Sequence, residues 1–131
     1  MADPTDPLAG RSLLSAWLAL HDQHRTGLTL VLDREDEGRP VEEHRAWAQL
    51  CRESERWASA LHARGVRAGE RVLVVLPTSF EFVLVFFALQ RLGAVPVPTY
   101  PPAPMEAPEA ALGRLGPLVQ SAGTQRCISV E

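Results

Sequence analysis

Apolar and polar residues alternate along this chain in two rhythms, one with the period of a helix and one with that of a strand. Ser12 can cap a helix running through SLLSAWLALHDQH, where Leu13, Leu14, Trp17, Leu18 and His21 recur on one face. Gly27 follows and is expected to end that unit. LTLVLD, residues 28–33, is rich in strand formers, and the charged REDEGRP after it suits an exposed turn. A short strand over 41–45 would complete a hairpin. Helical spacing returns over 46–63, with Trp47, Leu50, Cys51, Trp57, Ala58 and Leu61 apolar, Arg52, Glu53, Glu55 and Arg56 mostly opposite, and Gly65 as a C-terminal cap.

The stretch GVRAGERVLVVLPTSFEFVLVFFALQRLGAVPVPTYPP, residues 65–102, carries the strongest signal. RVLVVL, residues 71–76, is the near-continuous apolar run of a strand covered on both faces of a parallel sheet. Pro77 stops it, Thr78 or Ser79 can cap the next helix, and residues 80–92 are apolar almost all round. Gly93 closes that helix and AVPVP forms a second strand, so strand, crossover helix and strand imply parallel pairing. After the extended TYPPAP come a helix over 109–122 and a strand over 126–130. Gly113, Gly116 and Pro117 predict that this last helix is short or irregular. The order αββαβαβαβ is that of an α/β fold: a three-layer arrangement of parallel strand-helix-strand units with an N-terminal helix and β-hairpin.

A membrane span over 72–89 approaches the required length of about 20 residues. Pro77, Thr78, Ser79 and Glu81 interrupt its centre, where a proline breaks the helix and a charge is costly, so no transmembrane segment is expected. With 131 residues the chain suits one domain, and 16 acidic against 13 basic side chains give a net charge of −3, which does not point to nucleic acid. Cys51 and Cys127 lack metal-ligand or CxxC spacing and read as reduced packing thiols, consistent with a cytoplasmic setting. MADPTDPLAG has no basic segment followed by an apolar run and so reads as a flexible N-terminus over 1–11, not a signal peptide.

LHARGV, then RAGERVLVVLP, then a phenylalanine-rich helix ending in LGAVPVP, resembles the N-terminal region of the acyl-adenylate-forming (AMP-dependent synthetase/ligase) superfamily. The ending AVPVPTYPP, with Tyr100, Pro101 and Pro102 directly after the strand, is most similar to the fatty acyl-AMP ligases. The resemblance runs from about Ser12 to the end of the chain and makes residues 12–131 a partial N-terminal subdomain. It implies ATP-dependent activation of a fatty acid to acyl-AMP, with Mg²⁺ shielding the phosphates and an acyl carrier protein as acceptor. In that family the phosphates are met by a Ser/Thr/Gly-rich loop with a lysine, and a further lysine lies in a mobile C-terminal domain. None of these occurs here. All 13 basic residues are arginines, so no catalytic, cofactor-binding or metal-binding residue is carried over, and the chain alone is expected to be inactive.

Other motifs read as structure. Ser121-Ala122-Gly123-Thr124 has small residues and a hydroxyl that could face an anion, yet it follows a helix and precedes a strand, the reverse of a phosphate loop. It reads as a helix C-terminus with Gly123 in the left-handed region. His21 and His24 could share an ion but lack a third ligand, and His44 and His62 are isolated. No serine or cysteine sits in an elbow motif. Glu35-Asp36-Glu37 and Glu42-Glu43 read as solvated charge. The Tyr100–Pro104 segment is either a stiff crossover or a polyproline ligand, and its place between strand and helix favours the crossover.

Two functions follow. In one, the chain is the N-terminal fragment of a fatty acyl-AMP ligase-like enzyme whose partner is the rest of that enzyme. In the other, it is a stand-alone α/β interaction or scaffolding module. If this short sheet cannot cover Phe80, Phe82, Phe86 and Phe87, the chain is expected to self-associate.

Overall fold

The computed structural model describes residues 12–130, with residues 33–35 described by their backbone; the expected flexible segment 1–11 lies outside them. The elements are α1 (Leu13–Leu18), β1 (Gly27–Asp36), β2 (Arg39–Ala46), α2 (Trp47–Ala63), β3 (Arg71–Val75), α3 (Phe80–Arg91), β4 (Val95–Thr99), α4 (Pro108–Ala122) and β5 (Arg126–Ser129). That is the α/β order expected from the sequence. The chain divides into two compact units, 1–55 and 56–131.

In the first unit, Ser12 caps α1 by accepting from the Ser15 backbone N–H at 3.0 Å. The helix ends at Leu18, well short of the expected His24. The Leu20 and His21 N–H groups bond back only three residues, to Trp17 and Leu18, which tightens the chain out of the helix. This exit has a use further along. The carbonyls of Gln23 and Thr26 accept from Ala48 and Trp47 N–H at 3.0 Å each, satisfying donors that the start of α2 would otherwise leave bare. Gly27 does not end a helix but opens β1, opposite Ala46.

β1 and β2 pair antiparallel, and the charged run expected as a turn is mostly strand. The turn is only Glu37 and Gly38, whose φ values of 50° and 73° are both positive, as the tightest hairpins with a matching twist require. A bulge between Leu32 and Glu35 absorbs the extra length of β1. Trp17 is buried, meets Trp47 edge-on at 5.8 Å between ring centres, and directs its indole N–H at Ser54 Oγ, 3.4 Å away. The Cys51 thiol donates to the Trp17 carbonyl at 3.3 Å, so this cysteine is a packing group as expected.

In the second unit β3 is the central strand of a three-stranded parallel sheet ordered β4-β3-β5. Val72, Leu73, Val74 and Val75 are all buried, which accounts for the unbroken apolar run. Val85, Ala88 and Leu89 of α3, Ala58 and Leu61 of α2, and Val66 pack with Val72 and Val74 in one core. β4 carries two prolines and can do so because it is an edge. The Val95 N–H donates to the Glu70 carbonyl at 2.8 Å, so the alternate positions Pro96 and Pro98 direct their missing donors away from β3.

Of the four phenylalanines, Phe80 is buried and Phe82, Phe86 and Phe87 are half-buried. The most exposed large apolar side chains of this unit lie elsewhere: Met105 at 96%, Tyr100 at 84% and Leu112 at 70%. α4 is longer and more regular than its composition suggested, continuing through Gly113, Gly116 and Pro117. Its Pro117 removes only the bond to the Gly113 carbonyl, and both residues sit at the surface where water can replace it. Among the described residues no helix is long and apolar enough to cross a membrane.

Candidate functional site

The carboxyl ends of β3 and β4 open into a cavity of about 300 Å³ lined by Leu76, Thr78, Phe82, Pro98, Thr99 and Tyr100. This is where parallel α/β sheets generally bind ligands, because the loops leaving the strands are free to diverge there. Its walls follow from the sequence. Pro77 stops β3, and Ser79, the actual cap of α3, accepts from Phe82 N–H at 3.2 Å. That bond brings the Phe82 side chain to the cavity in the first turn of α3. The polar side chains of the lining are two threonine hydroxyls and a phenol, all uncharged.

Arg114 of α4 fixes the rim. Its Nη1 donates to the Tyr100 carbonyl at 3.0 Å and to Thr99 Oγ1 at 3.4 Å, and its Nη2 to Glu106 Oε2 at 3.4 Å. The Ala103 N–H donates to the same carboxylate oxygen at 3.0 Å. That backbone bond, followed by the Arg114 guanidinium, holds the Glu106 carboxyl below its ordinary pKa. The proline segment is thus tied to α4 at both ends, as a stiff crossover would be. Nothing local along the chain signals this clamp, because Arg114 reads as one more polar residue on a helix.

A second clamp closes the opposite end of the sheet. Arg126 Nε donates to Glu70 Oε1 at 2.7 Å, while Nη1 and Nη2 reach the Arg64 and Gly65 carbonyls at 3.0 and 3.3 Å. The Arg126 bond, then the Arg67 backbone N–H at 3.1 Å, lowers the Glu70 pKa. Thr124 is buried beside them. Its hydroxyl donates to the Arg71 carbonyl at 2.7 Å, lies 2.9 Å from the Arg126 carbonyl, and accepts the Arg126 N–H at 3.3 Å. Gly123 is the left-handed C-cap of α4, with φ 61°. The phosphate-loop look-alike is therefore a helix stop whose hydroxyl is spent joining β3 to β5.

The remaining candidates stay apart. His21 pairs with Asp22 at 3.0 Å in an exposed turn, and His44 Nδ1 lies 2.9 Å from Thr29 Oγ1 on the hairpin. His62 approaches Arg67 Nη1 at 3.4 Å. No three histidine, cysteine or acidic side chains gather to hold a metal among the described residues. Cys127 is exposed on β5, yet neighbouring atoms shield its sulfur enough to push the thiol pKa up, which disfavours the reactive thiolate. Asp36, Glu37 and Glu42 are exposed and Glu43 half-buried, so these four carboxylates form no buried acid pair.

These residues do not fit Mg²⁺ and ATP. The cavity lining has no cation for a triphosphate and no carboxylate for a metal, and the nearest guanidinium, that of Arg114, is already engaged by Glu106. What the lining suits is an uncharged, partly apolar group.

The sequence model of the AMP-binding enzyme family matches residues 27–120. The chain belongs to that family. It is 43% identical over 56 residues to a salicyl-AMP ligase / salicyl-S-ArCP synthetase of Mycobacterium tuberculosis, covering 43% of this chain and 10% of that protein. A long-chain-fatty-acid–CoA ligase of the same organism is 40% identical over 52 residues, covering 40% of this chain and 10% of the relative. The fold matches the crystal structure of a fatty acid AMP ligase from Legionella pneumophila with a TM-score of 0.69 and 24% identity, over 87% of this chain and 19% of that one. The chain thus spans about a tenth of the length of these two curated relatives. The family match takes in the hairpin, strands β3 and β4 of the parallel sheet and most of α4, which accounts for the element order over that stretch.

Proposed function

We propose that this chain is a structural part of an enzyme that activates a carboxylic acid with ATP to an acyl-AMP, and that residues 12–131 form part of its N-terminal subdomain. The observation that carries this reading is the family match over 27–120, which spans β1 through most of α4. The acid is a fatty acid and the acceptor a carrier protein. The Tyr100-Pro101-Pro102 ending after β4 supports the first, as does the likeness to a fatty-acid ligase. The likeness to a relative named for an aryl carrier protein supports the second. The setting is cytoplasmic.

In such an enzyme this chain does no chemistry of its own. Bound Mg²⁺ and ATP supply the electrophilic phosphorus, and the groups that meet them come from other parts of the polypeptide. The contribution here is mechanical: a buried parallel sheet, and a rim at residues 99–106 held by Arg114 and Glu106 around a neutral cavity.

Carboxylate-dependent ATP–pyrophosphate exchange tests the reading. The purified chain is expected to give none with any acid. Mixed with the remainder of an adenylating enzyme, it is expected to restore exchange with palmitate above that with acetate or salicylate. Exchange by the chain alone would overturn the structural role, and restored exchange that ignores palmitate would overturn the choice of acid.

A stand-alone interaction module is the second reading, favoured by the burial of Phe80 and the part-burial of Phe82, Phe86 and Phe87 within this short sheet layer. Size-exclusion chromatography separates the two. A monodisperse monomer with a cooperative melt supports the module, whereas self-association supports the part of a larger enzyme.

A further inference from the structure

Helix α2 carries a surface that none of the foregoing uses. Arg56, Trp57, Ala60 and Arg64 line a shallow groove of about 240 Å³ along it. Arg56, Ala60 and Arg64 are exposed, and Trp57 is half-buried, packed by its inner side against the core. Eight residues separate the two arginines, which places their backbone positions about 12 Å apart along the axis, with Trp57 and Ala60 between them.

The arginines of this groove are unpaired, as are Arg25, Arg39 and Arg52 among the described residues, but here two of them flank a tryptophan. Arg45 and Glu53 pair at 2.8 Å, Arg114 pairs with Glu106, and Arg126 with Glu70. Arg67 and Arg71 are bound by backbone carbonyls. Among the described residues, neither the Arg56 nor the Arg64 guanidinium meets a carboxylate or a carbonyl. Two unneutralised guanidiniums thus flank an indole in a chain whose net charge is −3. Arginine and tryptophan are the side chains most enriched where protein interfaces draw their binding energy, and a planar guanidinium suits a carboxylate in two-point contact.

We propose that this face of α2 docks an acidic α-helix of a partner protein, two carboxylates of which, about two turns apart, meet Arg56 and Arg64 while an apolar side chain between them covers Trp57 and Ala60. A helix fits because carboxylates eight residues apart along it are separated by about 12 Å, the same rise that separates the backbones of the two donor arginines. A nucleic acid fits poorly. It needs a longer basic track than two arginines, and it would meet the negative field of the whole chain.

Fluorescence anisotropy with three labelled probes tests this on the full chain: an alanine-based helical peptide with two glutamates eight residues apart around a leucine, the same peptide with lysines, and a single-stranded oligonucleotide. The glutamate peptide is expected to bind saturably and more weakly as salt rises. The Arg56→Glu/Arg64→Glu variant is expected to weaken it by about tenfold or more. Arg25→Glu/Arg39→Glu, at exposed arginines that are not among the groove's lining residues, is expected to leave it unchanged. Both variants change exposed side chains, and circular dichroism verifies that each is folded. No saturable binding of the glutamate peptide, equal binding of the lysine peptide or the oligonucleotide, or binding that survives the double reversal would each overturn the proposal.

Discussion

Removing the Thr124 hydroxyl while keeping the side chain's shape separates a structural hydroxyl from a phosphate-binding one. Thr124 is 6% exposed, and its Oγ1 stands between Arg71 of β3 and Arg126 of β5. In Thr124→Val the Arg126 N–H loses its acceptor and the Arg71 carbonyl loses a donor, in a place water reaches poorly. A buried polar group left unpaired costs about 1–3 kcal/mol. For a unit the size of residues 56–131, that corresponds to a fall in Tm of about 5–20 °C. Thr124→Ser keeps the hydroxyl and loses one methyl, worth about 0.8 kcal/mol. Urea and thermal denaturation followed by circular dichroism should therefore rank wild type above Ser and Ser above Val. A valine variant as stable as wild type, or more stable than the serine variant, would refute the tie between the strands.

Two further outcomes follow from the same contacts. The Glu70 and Glu106 carboxyls have lowered pKa values in the folded chain, so their stabilising effect is present above the unfolded value of 4.5 and is lost as pH falls below it through the folded values. Tm measured against pH should fall below about 4.5, and Glu70→Gln should flatten part of that fall; an unchanged profile would count against the Arg126 pair. Gly27→Ala would place a Cβ 2.7 Å from the Ala46 Cα, on backbone that cannot yield, and should destabilise the hairpin unit by about 1–3 kcal/mol in urea unfolding followed by tryptophan fluorescence.

How far the sequence carried can be seen element by element. β3 was legible because four consecutive buried residues leave four consecutive apolar letters, and α3 because a helix covered on most sides is apolar nearly all round. Ser79 and Gly123 were legible as caps because capping is settled within three or four residues. α1 misled, because its apolar spacing continues through His21 although the chain leaves the helix after Leu18 to bring two carbonyls to the start of α2. The charged hairpin misled for a related reason. Solvent-exposed strand residues can carry any charge, so REDE does not distinguish a turn from the end of a strand, and only the positive φ values at Glu37 and Gly38 locate the turn.

By itself the sequence determined the order of the elements, the central place of β3 and the family. Periodicity, caps and short motifs are set by neighbours a few residues apart. The tertiary structure alone decided the neutral cavity at the ends of β3 and β4, the Arg114 clamp on its rim, the Arg126–Glu70 tie across 56 residues, and the two arginines, on α2 and just past its end, that meet no carboxylate. An arginine's partner depends on which distant backbone or carboxylate the fold brings within about 3 Å, and no local pattern of residues records that distance.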